Sequence, residues 1–357
     1  MKRFVVYDVA VARIVGIKDV ARHADVSVGT VSNVINRPDL VAPQTRDRVL
    51  AVIEQLGYVR SEAARHLRAG QSRFLAMLVL DMANPFFVQV ASGAERAARD
   101  AGLRVLLCDS ANDPVQEADY LSLFAEQRVR GVLLTPAGTG PGLEVLRRQK
   151  IPFVLVDRVA PGPGGCSVSV DDVAGGRLAA GHLAEAGHTL IGYVSGPMSL
   201  AQCRDRRAGA LTELIARGLP EDALSHIEVA RMDVAAGRDA GHRLLNLSRR
   251  PTAVFCANDL LALGVLQALY AAGVSVPGEM AIIGYDDIEF AAAAAVPLSS
   301  VRQPSAEMGR IATGLLLEEA ADDGAVHQHR NVVLEPELVV RDSTSAVGAT
   351  AQPAGLD

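Results

Sequence analysis

A run of small and polar side chains between Ser27 and Asn33 has the chemistry to read DNA. Ser27 is a natural N-cap for a helix predicted from Val28 to Ile35. The outer face of this helix would carry Val28, Gly29, Thr30, Ser32 and Asn33. A short, capped, small-sided helix fits the roughly 12 Å wide major groove, where hydroxyl and amide groups reach base edges. The alternative is a helix of an ordinary bundle with no role on DNA.

Polar and aromatic residues that follow predicted strands, or lie between them, form a second candidate site. They are Asn84, Phe86, Phe87, Asp157, Arg206, Asn258, Asp259, Asp286 and Gln303. Ligands of parallel sheets bind at the carboxyl ends of the strands, where carboxylates, amides and an arginine match a polyol. Taken singly, each could equally be a helix cap or a surface charge. Asp259, for example, stands where a helix is predicted to start and would stabilise that helix without any ligand. The two phenylalanines could stack on a sugar or a base, or pack in the core.

The sequence offers little support for catalysis or for a cofactor. Leu143 stands at the last position of a possible G-x-G-x-x-G, and neither G-x-x-x-x-G-K-[ST] nor G-x-S-x-G occurs. His327 and His329 could hold a metal, but with no third ligand nearby we interpret them as a solvated turn. The four cysteines lack C-x-x-C spacing, which predicts reduced, partly buried thiols and no zinc site.

Three further segments would position the DNA-reading helix. A first helix is predicted from Ile17 to Ala24, with a turn at residues 25–26. A third follows Pro43 and ends at Gly57. A short helix over residues 62–68 could not hold itself together in isolation, so we expect it to order on a partner. Its one large apolar residue, Leu67, suits a wedge between base pairs in the minor groove.

The rest of the chain alternates apolar runs with amphipathic segments. The runs are at 74–80, 103–108, 131–135 and 154–157, and then at 190–195, 252–256 and 280–285. Strands of this kind separated by helices predict parallel sheets covered on both faces. Two such series predict two Rossmann-like lobes with a cleft between them.

Charge and length fit a DNA-binding module joined to a larger body. Of 357 residues, the first 73 hold 12 Lys/Arg and 7 Asp/Glu, whereas the remainder holds 23 and 34. A basic end on an acidic body is typical of one end meeting phosphate. No apolar run approaches the roughly 18 residues of a membrane helix, and residues 1–13 are unlike a secretory signal. We therefore expect a cytoplasmic protein without a membrane partner.

These motifs together resemble the lactose/galactose repressor family. The matching strings are V-A-x-x-A-x-V-S-x-x-T-V-S-x-V-I-N, T-R-x-R-V, L-G-Y and A-A-R-x-L in the first 68 residues. N-P-F-F, V-D-R, R-x-x-G-A, A-N-D-x-x-A-L-G, G-Y-D-D and E-L-V-V-R-D-S follow, so the resemblance spans about residues 16–343. It implies an all-α helix-turn-helix headpiece with a hinge helix, and an α/β two-lobed core like that of periplasmic binding proteins.

The resemblance also implies domain boundaries and residue roles. The expected parts are a disordered N-terminal extension (1–15), a headpiece (16–60), a hinge (61–72), a two-lobed ligand-binding and dimerisation core (73–342) and a disordered tail (343–357). Val28, Gly29 and Asn33 would face bases, and Ala64 and Leu67 would enter the minor groove. Phosphates would be held by Ser27, Thr30, Ser32, Asn36 and Thr45. Asp157, Arg206, Asn258, Asp286 and Gln303 would hydrogen-bond an effector, with Phe86 and Phe87 stacking or packing.

The sequence departs from the family pattern in places. Asp25 replaces a usual glycine, although aspartate tolerates the left-handed conformation. Gly29 leaves one base-facing position without a side chain, Asp172 replaces an expected asparagine, and no ring stands near Met232 where some relatives stack one on the effector.

We thus expect a homodimeric repressor of a palindromic operator, controlled by a sugar or sugar derivative. The alternatives are a purine- or nucleoside-responsive regulator, a sugar-binding protein of the cell envelope, and a Rossmann-like enzyme acting on a sugar.

Overall fold

A computed structural model describes residues 15–59, 72–138, 142–160, 164–321 and 327–344 of the chain. The chain divides into two compact units, residues 1–70 and 71–357.

The N-terminal unit is built from short helices around one small apolar core. Its elements are α1 (Ile17–His23), α2 (Val28–Asn36), a 3₁₀ turn (Pro38–Leu40) and α3 (Pro43–Leu56). Val20, Val31 and Val49, one from each α-helix, are fully buried against one another's helices. The three predicted helices are therefore confirmed, with α1 one residue shorter than expected.

Two residues with positive φ shape this unit. Asp25, between α1 and α2, has φ 51°, a left-handed conformation that aspartate tolerates in place of the glycine usual in the family. Gly57 ends α3 with φ 61°, which glycine adopts without the steric cost of a Cβ atom.

The second unit contains two α/β lobes. The first lobe comprises β1 (Phe74–Val79), α4 (Pro85–Asp100), β2 (Arg104–Asp109), α5 (Pro114–Glu126), β3 (Val132–Leu134), α6 (Leu143–Arg148), β4 (Phe153–Val156), β5 (Cys166–Val170), α12 (Ser305–Ala321) and β11 (Asn331–Leu334). Its sheet has the strand order β11-β5-β4-β3-β1-β2, and all pairs are parallel.

The second lobe repeats this plan. It comprises α7 (Asp172–Glu185), β6 (Ile191–Ser195), α8 (Ala201–Ala216), a 3₁₀ turn (Glu221–Ala223), β7 (Leu224–Glu228), α9 (Val234–Leu245), β8 (Ala253–Cys256), α10 (Asp259–Ala271), β9 (Ala281–Asp286), α11 (Glu289–Ala292), β10 (Ser299–Arg302) and β12 (Glu337–Val339). The sheet order is β12-β10-β9-β8-β6-β7. β12 pairs antiparallel to β10, so the prediction of purely parallel sheets is wrong at this edge.

Within the described residues, the chain passes between the lobes three times: at residue 171, at 303–304 and at 335–336. These crossings place the carboxyl ends of strands from both sheets around one cleft. Ser343 and Thr344 were predicted to begin a disordered tail, but both are buried; residues 345–357 lie outside the described residues. The Ser343 hydroxyl donates to the carbonyl of Ile282 (2.6 Å), which fixes this segment to β9.

Helices α7 and α8 pack unusually closely because of two glycines. A Cβ atom on Gly176 would lie 2.0 Å from the carbonyl oxygen of Arg206, and one on Gly209 would lie 2.0 Å from that of Val173. Real Cβ atoms do not approach so near, so glycine is required at both positions. This contact brings the first turn of α7 next to Arg206.

No helix in the described part of the chain is both long and apolar enough to span a membrane.

Candidate ligand cleft and DNA-reading helix

The cleft between the lobes encloses a cavity of about 350 Å³. Eight of the nine predicted ligand residues line it: Asn84, Phe86, Phe87, Asp157, Arg206, Asn258, Asp286 and Gln303. The first four belong to the first lobe, and the others to the second lobe or to the crossing at 303. Reasoning from strand ends therefore brings together residues up to 219 positions apart in sequence, between Asn84 and Gln303.

Strand ends and helix starts aim these side chains into the cleft. Asp157 directly follows β4 and Asp286 ends β9, with φ of 58° and 100°. Asn84 and Asn258 are N-caps of α4 and α10, and their Oδ1 atoms accept from the amides of Phe86 (3.1 Å) and Leu261 (2.9 Å). Capping fixes these two side chains and leaves their amide groups free to donate elsewhere.

Hydrogen bonds join the two lobes across the cleft. The Nε2 of Gln202, on α8, donates to the carboxylate of Asp157 at 2.7 Å. The Nδ2 of Asn84 donates to Asp286 at 3.0 Å, and the Nε2 of Gln303 donates to the other oxygen of Asp286 at 2.7 Å. Both carboxylates thus link the first lobe to the second.

Arg206 is a buried cation with partners at its Nε, at its Nη1 and on one face of the guanidinium. Its Nε donates to Asp172 at 2.7 Å, and its Nη1 donates to the carbonyl of Ala257 at 2.6 Å. Its guanidinium carbon lies 3.6 Å from the ring centroid of Tyr285, a cation–π contact. The aspartate at 172, a departure from the family pattern, is therefore the counter-ion of Arg206.

Burial changes the acidity of the cleft carboxyls. Desolvation raises the pKa of Asp157 from an ordinary 3.8 to about 7; the negative charge of Asp172 adds to the rise, and Arg206 opposes it. Desolvation likewise raises the pKa of Asp286 to about 6, against the opposing charge of Arg206. Both groups therefore titrate close to neutral pH.

Three buried oxygen atoms in the cleft have no donor among the described residues: Oδ1 of Asp157, Oε1 of Gln202 and Oε1 of Gln303. In each case the other polar atom of the side chain is already bonded, so its orientation is fixed. A buried acceptor without a partner costs free energy. The cleft therefore presents acceptors that a ligand rich in donors would satisfy.

The two adjacent phenylalanines are both core and cleft residues. Phe86 is 2% exposed and Phe87 7%, and their rings meet edge to face with centroids 5.0 Å apart. Each packs in the core of the first lobe and also lines the cavity.

Asp259 does not belong to the cleft, so its prediction as a ligand residue is wrong. Its carboxylate is fully buried and accepts hydrogen bonds from the Ser300 hydroxyl (2.8 Å) and the amide of Ile288 (2.9 Å). It joins β10 to the segment after β9, a structural role.

Sequence reasoning missed several lining residues. Gln202 is the most important, and the signal for it was present: it stands four residues before Arg206, so both lie on one face of α8. Met232 lines the cavity where an aromatic ring was noted as lacking. The remaining wall is formed by Leu80, Asp81, Asp109, Ala111, Asn112, Pro197, Leu200, Ala230 and Arg231.

Helix α2 presents most of the predicted DNA-reading residues. The Ser27 hydroxyl accepts from the amide of Thr30 at 3.0 Å and so caps the helix. Val28, Gly29 and Asn33 are exposed, with 41% of Val28 accessible. Thr30 and Thr45 are half-buried, and Asn36 is exposed.

Ser32 does not lie on the outer face, contrary to the prediction. It is 7% exposed, and the Nδ2 of Asn36 donates to its carbonyl (2.7 Å) and its hydroxyl (3.2 Å). Ala64 and Leu67, predicted to enter the minor groove, lie outside the described residues.

The interpretation of His327 and His329 as a solvated turn without a third ligand is wrong. Cys166 and Glu319 lie beside both imidazoles, and the four ligand atoms are all within 4.8 Å of one another. The chain positions that meet here, 166 and 319–329, are too far apart in sequence for spacing to reveal them.

Comparison with known proteins identifies the family. Residues 16–61 match bacterial regulatory proteins of the lacI family, and residues 180–344 match a periplasmic binding protein-like domain. The HTH-type transcriptional repressor PurR of Photobacterium profundum is 34% identical over 329 residues, covering 92% of this chain and 98% of the relative.

Solved structures of transcription regulators are also similar to this chain. The complex of the transcriptional regulator CelR with cellobiose is 31% identical, with a TM-score of 0.69, covering 92% of this chain and 99% of that chain. The lac repressor dimer bound to operator and the anti-inducer ONPF is 26% identical, with a TM-score of 0.79, covering 94% of this chain and 100% of that chain. The chain belongs to the lacI family of bacterial regulatory proteins and is a DNA-binding transcription regulator, not an enzyme.

Proposed function

We propose that this protein is a cytoplasmic repressor that binds a palindromic operator as a homodimer, under the control of a hydroxyl-rich ligand in the cleft. The dimer is supported by the family, since one similar solved structure is a lac repressor dimer on its operator. The identity of the ligand class is supported by the three unpartnered acceptors of Asp157, Gln202 and Gln303.

On DNA, the exposed face of α2 reads the major groove. Val28, Gly29 and Asn33 face bases, and because Gly29 has no side chain, discrimination falls to the other two. Ser27, Thr30, Asn36 and Thr45 hold phosphates. Ser32 is left out because its hydroxyl is buried and bonded to Asn36. Ala64 and Leu67 remain predicted minor-groove residues.

The chemistry of the cleft favours a sugar or sugar derivative. Each hydroxyl of a polyol can donate to one of the free acceptors and also accept from Arg206 or an amide. A purine offers fewer donors for the same space. The second candidate is nevertheless a purine, because PurR relatives are 34% identical over nearly the whole chain and Phe86 and Phe87 line the wall.

Ligand binding controls operator affinity by changing the balance between arrangements of the two lobes. The bonds of Gln202 to Asp157 and of Asn84 to Asp286 hold the lobes together across the cleft. A ligand that donates to the free oxygens of Asp157, Gln202 and Gln303 stabilises this arrangement of the lobes relative to others. Such a change is an allosteric coupling if it alters operator affinity.

DNA binding is tested by selecting genomic fragments with the purified full chain at fixed moderate salt. Enrichment of a palindrome with a central C-G step is the expected result. Asn33→Ala should reduce discrimination between the enriched site and a scrambled site, whereas removing an exposed charge of α3, as in Glu54→Gln, should not. Equal enrichment of unrelated fragments would contradict sequence-specific binding.

The ligand class is tested by calorimetry of the full chain against panels of pentoses, hexoses, disaccharides, sugar phosphates, purine bases and nucleosides. We expect a sugar to bind and its affinity to fall in Gln303→Leu, which removes an acceptor. Binding of a purine and of no sugar would replace the polyol proposal with the second candidate, while leaving the DNA-binding proposal intact.

A further inference from the structure

Cys166, Glu319, His327 and His329 converge on one edge of the first lobe. Cys166 begins β5, the two histidines precede β11, and Glu319 lies in the last turn of α12. The amino-terminal ends of β5 and β11 meet here, whereas the ligand cleft lies at the carboxyl ends of the strands. The cluster is therefore separate from the effector site.

The ligand atoms of this cluster have the spacing of a metal site. The Sγ of Cys166 lies 3.2 Å from Nε2 of His327 and 3.8 Å from Nδ1 of His329. The same Nδ1 lies 4.0 Å from Oε2 of Glu319, and all four atoms fall within 4.8 Å of one another. In a tetrahedral zinc site, a thiolate sulfur and an imidazole nitrogen lie about 3.6 Å apart. The two sulfur–nitrogen distances in this cluster, 3.2 Å and 3.8 Å, lie on either side of that value.

Two further observations point to a cation. Oε2 of Glu319 is buried and has no hydrogen-bond donor among the described residues, although it faces the two imidazoles. The amide of Arg330 points at the Cys166 sulfur at 3.4 Å, an arrangement that stabilises a thiolate. Both groups are thus arranged as anionic acceptors around a shared space.

We propose that these four residues bind a borderline transition-metal ion, of which Zn²⁺ is the best match. One thiolate, one carboxylate and two neutral imidazoles give a neutral complex with a dication, which suits a half-buried site. Four protein ligands leave no open coordination position, so the ion is structural and not catalytic. Hard ions such as Mg²⁺ and Ca²⁺ are excluded by the sulfur and nitrogen ligands.

The position of the site suggests what the ion stabilises. β5, α12 and β11 are the three elements of the first lobe that lead into or out of the interlobe crossings at 171, 303–304 and 335–336. A metal bound to all three ties together, at one end, the elements that carry every connection to the second lobe. It also fixes the start of β11, an edge strand whose partner in the described part of the chain is β5.

The test uses the untagged, full-length chain after removal of metals with a chelator. Co²⁺ replaces Zn²⁺ in such sites and gives a thiolate-to-cobalt charge-transfer band together with the d–d bands of a tetrahedral complex. We expect one Co²⁺ per chain, both sets of bands, and their loss when Zn²⁺ is added. Zn²⁺ alone should raise the unfolding temperature of the core.

Variants identify the ligands. His329→Asn and His327→Asn should weaken metal binding more than about 100-fold, since even the loss of an outer-shell partner costs 10–100-fold. Cys166→Ser should abolish the charge-transfer band. Cys108→Ser is the matched control, because this thiol lies elsewhere and is only half-buried, and it should retain the bands.

Absence of the charge-transfer band in the wild-type protein, or its persistence in Cys166→Ser, would overturn the proposal. Metal binding that is equal in the wild type and both histidine variants would do the same. If Cys166→Ser does not fold, the histidine variants decide, because both side chains are half-buried and their loss leaves the strand cores intact.

Discussion

Replacing Asp157 by asparagine should stabilise the protein and weaken its ligand binding at the same time. The carboxyl group is buried, with a pKa raised by desolvation to about 7 from an ordinary 3.8. Asparagine has the same shape, and its oxygen can still accept from Nε2 of Gln202, which lies 2.7 Å from the carboxylate. The substitution therefore removes the charge with little change in packing.

The effect on stability depends on pH. Between about pH 4 and pH 7 the folded protein holds a proton on Asp157 that the unfolded chain has lost, so folding stability falls as pH rises through this window. A pKa about three units above its ordinary value corresponds to a loss of about 4 kcal/mol, complete above pH 7. Asp286, with a pKa of about 6, contributes in the same direction over a lower window. In Asp157→Asn the fall between about pH 6 and 7 should disappear.

Asp157→Asn should lower the affinity for the ligand, although it raises the stability of the protein. The ionised carboxylate accepts charge-assisted hydrogen bonds worth about 1.5–3 kcal/mol, so the wild type should bind a polyol about 10- to 150-fold more tightly than Asp157→Asn above pH 8. Near pH 5 the wild-type carboxyl is protonated, and the two affinities should converge.

The assay is urea unfolding of the core at a series of pH values, with calorimetric titration of the ligand in parallel. Asp171→Asn is the control for charge, because Asp171 is exposed and an asparagine at that N-cap still accepts from the amide of Ala174. If Asp157→Asn kept the wild-type slope of stability against pH, Asp157 would be ionised in the folded protein at neutral pH and the reasoning would be refuted.

Three other substitutions, with one control, test the ion pair, the helix packing and the helix cap. Arg206→Ala leaves Asp172, whose side chain is only 11% exposed, without its ion-pair partner, and we expect the core to lose about 3–5 kcal/mol in urea unfolding; a loss under about 1 kcal/mol would contradict the ion pair. Gly176→Ala should cost at least about 2 kcal/mol and weaken ligand binding, whereas Gly314→Ala, where a Cβ meets open space, should be neutral or stabilising by about 1 kcal/mol. Ser27→Ala removes the cap of α2 and should destabilise the headpiece by about 1 kcal/mol, visible as reduced operator affinity; unchanged helicity and affinity would show that the cap is dispensable.

The cleft residues that the sequence could predict are those at the carboxyl ends of apolar strands. The central strands β1, β3, β4, β6, β8 and β9 are continuous apolar runs because both of their faces are covered. The polar residue after such a run is therefore readable, as at Asp157 and Asp286. Strand β5 alternates polar and apolar residues, and the edge strand β7 carries two adjacent polar residues, so neither forms an apolar run and neither was predicted. Strands β10, β11 and β12 were not predicted either.

Contacts between distant segments could not be read in the same way. Asn258 and Asp259 are neighbours at one helix start, yet Asn258 lies in the cleft and Asp259 in the core. The reason is that the carboxylate of Asp259 accepts hydrogen bonds from the Ser300 hydroxyl and the Ile288 amide. The metal-ligand cluster depends on Cys166 lying next to His327 across the β5–β11 pair. Neither partner is near in sequence, so neither spacing nor periodicity carries the information.

The energetics of the cleft bear on how a small ligand could control DNA binding. A ligand can shift a conformational equilibrium only by the difference in its affinity for the two states. In this structure three buried acceptors, on Asp157, Gln202 and Gln303, have no donor among the described residues, and each such atom costs about 1–3 kcal/mol. Supplying donors to all three only when the lobes are in this arrangement would favour it by about 3 kcal/mol or more. Allosteric couplings between sites are typically about 1–3 kcal/mol. The polar groups that recognise the ligand therefore hold enough free energy to drive the regulation, without any contribution from the apolar wall formed by Phe86 and Phe87.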